Sequence, residues 1–82
     1  MKFLEIAENL VMSFLEKSGL AWWVEIVTQN PNCIYYFGPF VTAKNAEISQ
    51  FGYIEDIVQE GAKINSVEVK QCQPEVLTIS ED

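Results

Sequence analysis

A run of aromatic residues meets a Gly-Pro pair at positions 35–42, Tyr35-Tyr36-Phe37-Gly38-Pro39-Phe40-Val41-Thr42. Proline lacks the amide donor that a strand ladder needs, and glycine adopts backbone conformations that are closed to other residues. We therefore expect a strand to stop at Gly38-Pro39. Thr42 is placed to cap a following helix, because its hydroxyl can accept a hydrogen bond from a free amide of the first turn. The stretch predicts a junction from strand to helix.

The residues before this junction predict a β-hairpin. Residues 21–28, AWWVEIVT, are rich in strand formers. A turn at residues 29–32, Gln-Asn-Pro-Asn, leads to a returning strand over residues 33–37. Apart from Glu25, both faces of the hairpin carry large side chains. A sheet with one solvent-exposed face alternates more regularly between apolar and polar residues. Both faces are therefore covered within the domain, or one face meets a partner. The sequence leaves the register of the hairpin open.

Helical and strand patterns also flank the hairpin. Residues 3–18 and 43–60 carry apolar side chains at three- and four-residue spacing, which is typical of amphipathic helices. Residues 64–72 alternate and predict a third strand. Residues 76–79 form either a short fourth strand or an ordered tail laid on the sheet.

These elements predict an α+β fold in one domain over residues 1–82. The N-terminal helix occupies 1–19, and a core of strands and one helix occupies 21–79. The whole domain is a small antiparallel sheet of three or four strands with two helices in the order α-β-β-α-β(-β). We expect the second helix to pack on one face of the sheet, and the first helix to lie on the sheet or at its edge.

The charge of the chain argues against several classes of partner. The net charge is −7, with 12 acidic residues against 5 lysines and no arginine. Nucleic acids and anionic membranes are bound through basic surfaces, so neither is an expected partner. No segment is long and apolar enough to span a bilayer, and Glu5 and Glu8 interrupt the apolar run that a secretory signal would need. We expect a cytoplasmic location.

The residue types needed for catalysis are poorly represented. The chain has no histidine, which removes the commonest general base and metal ligand. Cys33 and Cys72 have no metal-binding spacing and are interpreted as reduced thiols, a disulfide between strands being the alternative. The acidic residues of the second helix point in different directions and are solvated. The sequence therefore predicts no enzyme activity, no metal and no cofactor.

Candidate functional residues come from the aromatic hairpin and the second helix. Most aromatic side chains of so short a chain fill its core, but Trp23 shares a face with Glu25 and is expected to be exposed. Ile48 points away from the apolar stripe of its helix. The predicted interaction surface consists of Trp23, Tyr35, Tyr36 and Ile48.

A second candidate is a pocket at Gln50 and Gly52. Gln50 is a polar residue on the apolar face of the second helix. Gly52 lies in the middle of that helix, where glycine costs roughly 1 kcal/mol relative to alanine. A close approach of another group to the backbone at Gly52 would explain the glycine.

Several runs of the chain resemble a known family. These are Trp22-Trp23-Val24-Glu25-Ile26, Tyr35-Tyr36-Phe37-Gly38-Pro39-Phe40, Tyr53-Ile54-Glu55-Asp56, Glu60-Gly61-Ala62, Cys72-Gln73-Pro74 and Leu77-Thr78-Ile79. They are similar to a family of short cyanobacterial proteins known only as a domain of unknown function, and the resemblance covers about residues 21–79. It implies a cytoplasmic, non-catalytic small protein and transfers no activity.

Two functional hypotheses remain open at this level. The first is a protein-interaction module that uses the aromatic hairpin and an apolar helix face, with either an unknown protein or a second copy of itself as partner. The alternative is a domain that binds a small ligand or regulatory metabolite in a pocket between the sheet and the second helix.

Overall fold

A computed structural model describes residue 10 and residues 12–80 of the chain. Residues 12–18 form a helix, here called α1, and residue 10 is helical too. These positions confirm the C-terminal half of the helix predicted over residues 3–18. Its other positions lie outside the described residues, as do residues 81–82.

Four strands and a second helix follow α1. The elements are β1 at Trp22–Gln29, β2 at Cys33–Phe40, α2 at Ala43–Gln59, β3 at Lys63–Gln71 and β4 at Thr78–Ser80. The strands form one sheet in the order β3-β1-β2-β4, and every neighbouring pair is antiparallel. The predicted α+β class and the order of elements are confirmed, and the fourth strand is present.

The core lies between one face of the sheet and α2. Val24 and Ile26 of the central strand β1 are fully buried. Ala46 and Ile57 of α2 complete the same buried cluster. The side chains packed around this cluster are apolar or aromatic and come from all the larger elements: Trp22, Tyr35, Phe37, Phe40, Tyr53, Ile54, Ala62, Ile64, Val67 and Val69.

Helix α2 has the termini that the sequence predicts. The Thr42 hydroxyl accepts a hydrogen bond from the amide of Asn45 over 3.1 Å, which confirms Thr42 as the N-cap. At the other end Gly61 adopts a φ of +91°, in the left-handed region that favours glycine. Helix α2 therefore connects β2 to β3, and its inner face packs against β1.

The prediction that the ladder stops at Gly38-Pro39 is wrong. β2 continues to Phe40, which pairs with Trp22, while Phe37 pairs with Val24. Two residues of β2 therefore lie opposite one residue of β1, which is the arrangement of a β-bulge. Proline is tolerated there because β4 pairs with β2 only over residues 33–35, so no strand on the outer side calls for its missing amide.

The two edges of the sheet differ in length. β4 has three residues, and its pairing with β2 is extended by a hydrogen bond from the amide of Tyr36 to the carbonyl of Leu77 over 2.8 Å. β3 has nine residues and, among the described strands, pairs with β1 alone. Across the described ranges, no helix combines the length and apolarity that crossing a bilayer requires.

Candidate interaction surface

Trp23, which was expected to be exposed, is buried. Only 6% of the residue is accessible to solvent, and its ring packs against the backbone of Gly38. The expectation rested on Glu25, which shares its face of the sheet. That inference failed because Glu25 does not need water: its carboxylate is bound by two side chains from the neighbouring strands.

Glu25 forms the centre of a small polar network. Its Oε2 atom accepts a hydrogen bond from the Tyr36 hydroxyl over 2.7 Å and one from the Lys70 ammonium over 3.1 Å. Tyr36 lies directly across from Glu25 on β2. Lys70 comes from β3 and also lies 3.7 Å from a carboxylate oxygen of Glu68. The network ties the three longest strands together on the face opposite α2.

The same contacts shift the acid–base properties of the three side chains. Burial alone would raise the pKa of Glu25, but the hydrogen bonds from Tyr36 and Lys70 lower that pKa overall. The hydrogen bond to Glu25 raises the pKa of Tyr36 and likewise that of Lys70. Each pKa shift favours the protonation state that the hydrogen bonds require, which is an ionised Glu25, a neutral Tyr36 and a charged Lys70. Tyr36 is half-buried, and its hydroxyl already has a hydrogen-bond partner within the domain.

Tyr35 lies on the other face of the hairpin, beneath α2. Its ring stacks on that of Phe37 with centroids 6.0 Å apart, and Phe37 stacks on Tyr53 of α2 at 4.2 Å. The aromatic residues of the hairpin are therefore divided between two faces, and each group has its own packing partners. The structure does not bring Trp23, Tyr35 and Tyr36 together as one exposed platform.

The outer side of α2 carries three of the large apolar residues that are exposed in the described part of the chain. Ile48, predicted to point away from the core, is 64% exposed, and Phe51, one turn further along, is 68% exposed. Val58 is also exposed and follows two turns later at helical spacing. Three large apolar side chains thus line one side of a surface helix, which monomeric proteins usually avoid.

Ile48 and Phe51 border a groove of about 620 Å³ between α2 and β3. The groove is lined by Glu47, Ile48, Gln50, Phe51, Val67, Glu68 and Val69. Successive residues of a strand point to opposite faces, yet Val67 and Glu68 both line it. The groove therefore reaches over the open edge of β3. We call this groove and edge the α2–β3 surface.

Of the two predicted pocket residues, only Gln50 lies in this groove. Gly52 is exposed, and a Cβ atom at that position would meet nothing within 4 Å. The predicted close approach to Gly52 is therefore wrong. The groove does lie between the sheet and the second helix, where the pocket was predicted, and because it is open along a sheet edge an extended chain can lie in it.

Two parts of this surface were not found from the sequence. Phe51 is not among the residues that the sequence predicted for the surface, although its three-residue spacing from Ile48 is a signal that both face outward. The open edge of β3 had no signal in the sequence, because the order of strands in a sheet depends on contacts distant in the chain.

The cysteines do not pair. Cys33 is buried, Cys72 is half-buried, and both are free thiols. Burial raises the pKa of Cys72, which reduces the thiolate form that acts as a nucleophile.

The fold is that of a small α+β domain with a four-stranded antiparallel sheet and α2 on one face. The chain belongs to the family called domain of unknown function DUF1816, whose model matches residues 15–79. This match confirms the resemblance drawn from the sequence and extends it into α1. Comparison with curated proteins and comparison with solved structures gave no match.

Proposed function

We propose that this domain is a non-catalytic protein-interaction module that binds an extended segment of a partner along the α2–β3 surface. The observation that carries the proposal is the exposure of Ile48 and Phe51 beside the open edge of β3. The aromatic hairpin, which the sequence suggested as part of the surface, serves instead to build the core.

The edge of β3 supports binding through the backbone. An edge strand presents unpaired N–H and C=O groups, and an extended peptide that pairs with them adds a strand to the sheet. β3 is nine residues long, with a bulge at Asn65 opposite Val27 and Thr28, so residues 66–71 are its regular run for such pairing. Alternate side chains of an added strand point to the same face as Val67 and Val69, which places them against Ile48 and Phe51 in the groove.

Charge selects the kind of partner. Glu47 and Glu68 both line the groove, and none of the described lining residues is a lysine. The chain as a whole carries a net charge of −7. Charge complementarity between surfaces favours association and discriminates against like-charged partners. The partner segment is accordingly one that alternates apolar with basic residues, and a second copy of this acidic chain is the less suitable occupant.

The residue types of the chain support a non-catalytic role and a cytoplasmic location. It has no histidine, and burial holds the Cys72 thiol in its less nucleophilic form. Two free thiols suit a reducing compartment. Support for the alternative, a small-ligand pocket at Gln50 and Gly52, is weaker because Gly52 lies outside the groove.

A pair of synthetic peptides tests the proposal. One is a capped peptide of about nine alternating lysine and valine residues, which matches an edge strand in length and pattern. The other has glutamate in place of every lysine. We expect the basic peptide to shift the amide resonances of Val67, Glu68 and Val69, and we expect this binding to weaken as salt screens the exposed charges. The acidic peptide should leave them unchanged.

Two matched variants locate the binding. Phe51→Ser removes an apolar wall of the groove and should weaken the basic peptide by about tenfold, the usual scale for a buried anchor residue. Val58→Ser removes an exposed apolar residue of the same helix that does not line the groove, and it should have little effect. Equal binding of both peptides, or equal loss in both variants, would contradict the proposal.

A further inference from the structure

A second cavity lies on the opposite face of the sheet, beside Trp23. Its volume is about 390 Å³, within the range of roughly 300–1,000 Å³ typical of small-molecule sites. The ring of Trp23, the bulge residues Gly38 and Pro39, and Pro74 and Leu77 from the segment between β3 and β4 form its apolar walls. Residues 16 and 17 of α1 close one side of it. Four separate parts of the chain therefore converge on this cavity.

The indole nitrogen of Trp23 is unusual among the buried polar atoms. Nε1 is shielded from solvent and makes no hydrogen bond within the described part of the chain. Buried tryptophan N–H groups usually have an acceptor, because an unused buried donor costs about 1–3 kcal/mol. A residue that lines a cavity thus carries a donor without an acceptor.

We propose that this cavity binds a small, flat, uncharged molecule whose carbonyl oxygen accepts a hydrogen bond from Nε1 of Trp23. The shape follows from the walls, since an indole ring and two proline rings offer flat apolar contacts. Because Nε1 is itself shielded, the carbonyl reaches it after a side chain of the wall changes rotamer, a common adjustment on binding.

The absence of charge on the ligand follows from the electrostatics. Among the described residues that line the cavity, the charged ones are Glu16 and Lys17, whose charges cancel. An anion would also meet the field of a chain with a net charge of −7. Among the described lining residues, a cation would find one carboxylate, that of Glu16, next to the like charge of Lys17, and the unused Trp23 group is a donor rather than an acceptor. The site is independent of the α2–β3 surface, which lies on the other side of the sheet.

Acetophenone and ethylbenzene form a matched pair of probes, since they differ in one carbonyl group. Acetophenone should move the indole N–H resonance of Trp23 downfield, together with the amides of Gly38 and Leu77. We expect a dissociation constant on the order of 1 mM, as is usual for so small a ligand. Ethylbenzene should bind roughly fivefold more weakly, the factor that one net hydrogen bond supplies, and should not shift the indole proton downfield.

Two adjacent residues provide the matched variants. Leu77 and Val76 are 56% and 53% exposed, and only Leu77 lines the cavity. Leu77→Asp should weaken acetophenone at least about tenfold, because it introduces a charge into an apolar wall, whereas Val76→Asp should leave the affinity unchanged. Circular dichroism checks that both variants fold.

Three results would overturn the proposal. The first is the absence of any shift with acetophenone. The second is equal binding of the two probes with an unmoved indole proton. The third is an equal loss of affinity in the two aspartate variants. The peptide experiment on the α2–β3 surface has separate readouts, so the result for one proposal does not decide the other.

Discussion

A Cβ atom on Gly38 would lie 2.9 Å from Cε3 of Trp23 and 3.0 Å from the backbone oxygen of Trp22. The indole ring therefore occupies the space where any other residue would place its side chain. This contact explains how Trp23 is buried on a face of the sheet that α2 does not cover. It also makes Gly38 one of the positions most sensitive to substitution.

We expect Gly38→Ala to destabilise the domain by about 1–3 kcal/mol, the usual effect of overpacking a close contact. Gly52→Ala is the matched control, because a Cβ atom there meets nothing within 4 Å. That change should stabilise the domain by up to about 1 kcal/mol, since alanine favours the helix. Urea unfolding followed by circular dichroism measures both. Equal effects of the two substitutions would show that the contact with Trp23 is not what constrains Gly38.

Trp23→Ala should destabilise the domain by about 3–5 kcal/mol, as is usual when a large buried aromatic residue is removed. Trp23→Phe keeps most of the apolar volume and removes the unpartnered Nε1 donor, so its effect should be much smaller. Equilibrium unfolding of the two variants makes the comparison. If Trp23→Ala kept full stability, the residue would not be part of the packed structure.

The Glu25 network makes stability depend on acid pH. Because the folded pKa of Glu25 is lowered, its contribution is present above the ordinary value of 4.5 and is lost as the pH falls through the lower folded pKa. Tyr36→Phe removes one hydrogen bond that lowers this pKa, so the acid loss of unfolding free energy should become smaller. Tyr35→Phe, on the other face, should leave the acid profile unchanged.

Unfolding free energies between about pH 6 and pH 3 test this dependence, which spans the titration of an ordinary carboxyl group. The carboxyl resonance of Glu25 gives its pKa directly and should move upward in Tyr36→Phe. Identical acid profiles for Tyr36→Phe and Tyr35→Phe would show that the contact with Tyr36 does not control the titration.

The isolated domain should be a monomer. Pairing of two copies along the α2–β3 surface would bring Glu47 and Glu68 of both copies together, and each copy has a net charge of −7. Sedimentation equilibrium at low salt measures the mass. A dimer that Phe51→Ser dissociates and Val58→Ser does not would identify a second copy as the occupant of the groove.

The elements of this fold were accessible from the sequence because their signals are local. The spacing of apolar residues located α2, Thr42 marked its first turn, and strand-forming residues located the hairpin and β3. The sequence near residue 79 fits a strand and a tail equally, since three residues carry too little pattern to distinguish the two.

The remaining features depend on contacts between distant residues. Pro39 indicated a strand end, but its position in a bulge opposite Trp23 allowed β2 to continue to Phe40. Glu25 indicated a solvent-exposed face, but Lys70, 45 residues later in the chain, donates a hydrogen bond to it within the sheet. The candidate surface lies at the edge of β3 and not on the predicted hairpin for the same reason. The pairing between strands decides which strand lies at an edge.

The three residues of β4 set the number of partners that the sheet can take. A strand added to β3 meets a nine-residue edge with one bulge, whereas in the described part of the chain the opposite edge presents the three residues Thr78–Ser80 and, beyond them, the bulged end of β2 with Pro39. Growth of the sheet is therefore limited to one side. In the complex proposed above, one partner segment would occupy the long edge of this domain, and its described residues would leave no second long edge from which a filament could extend.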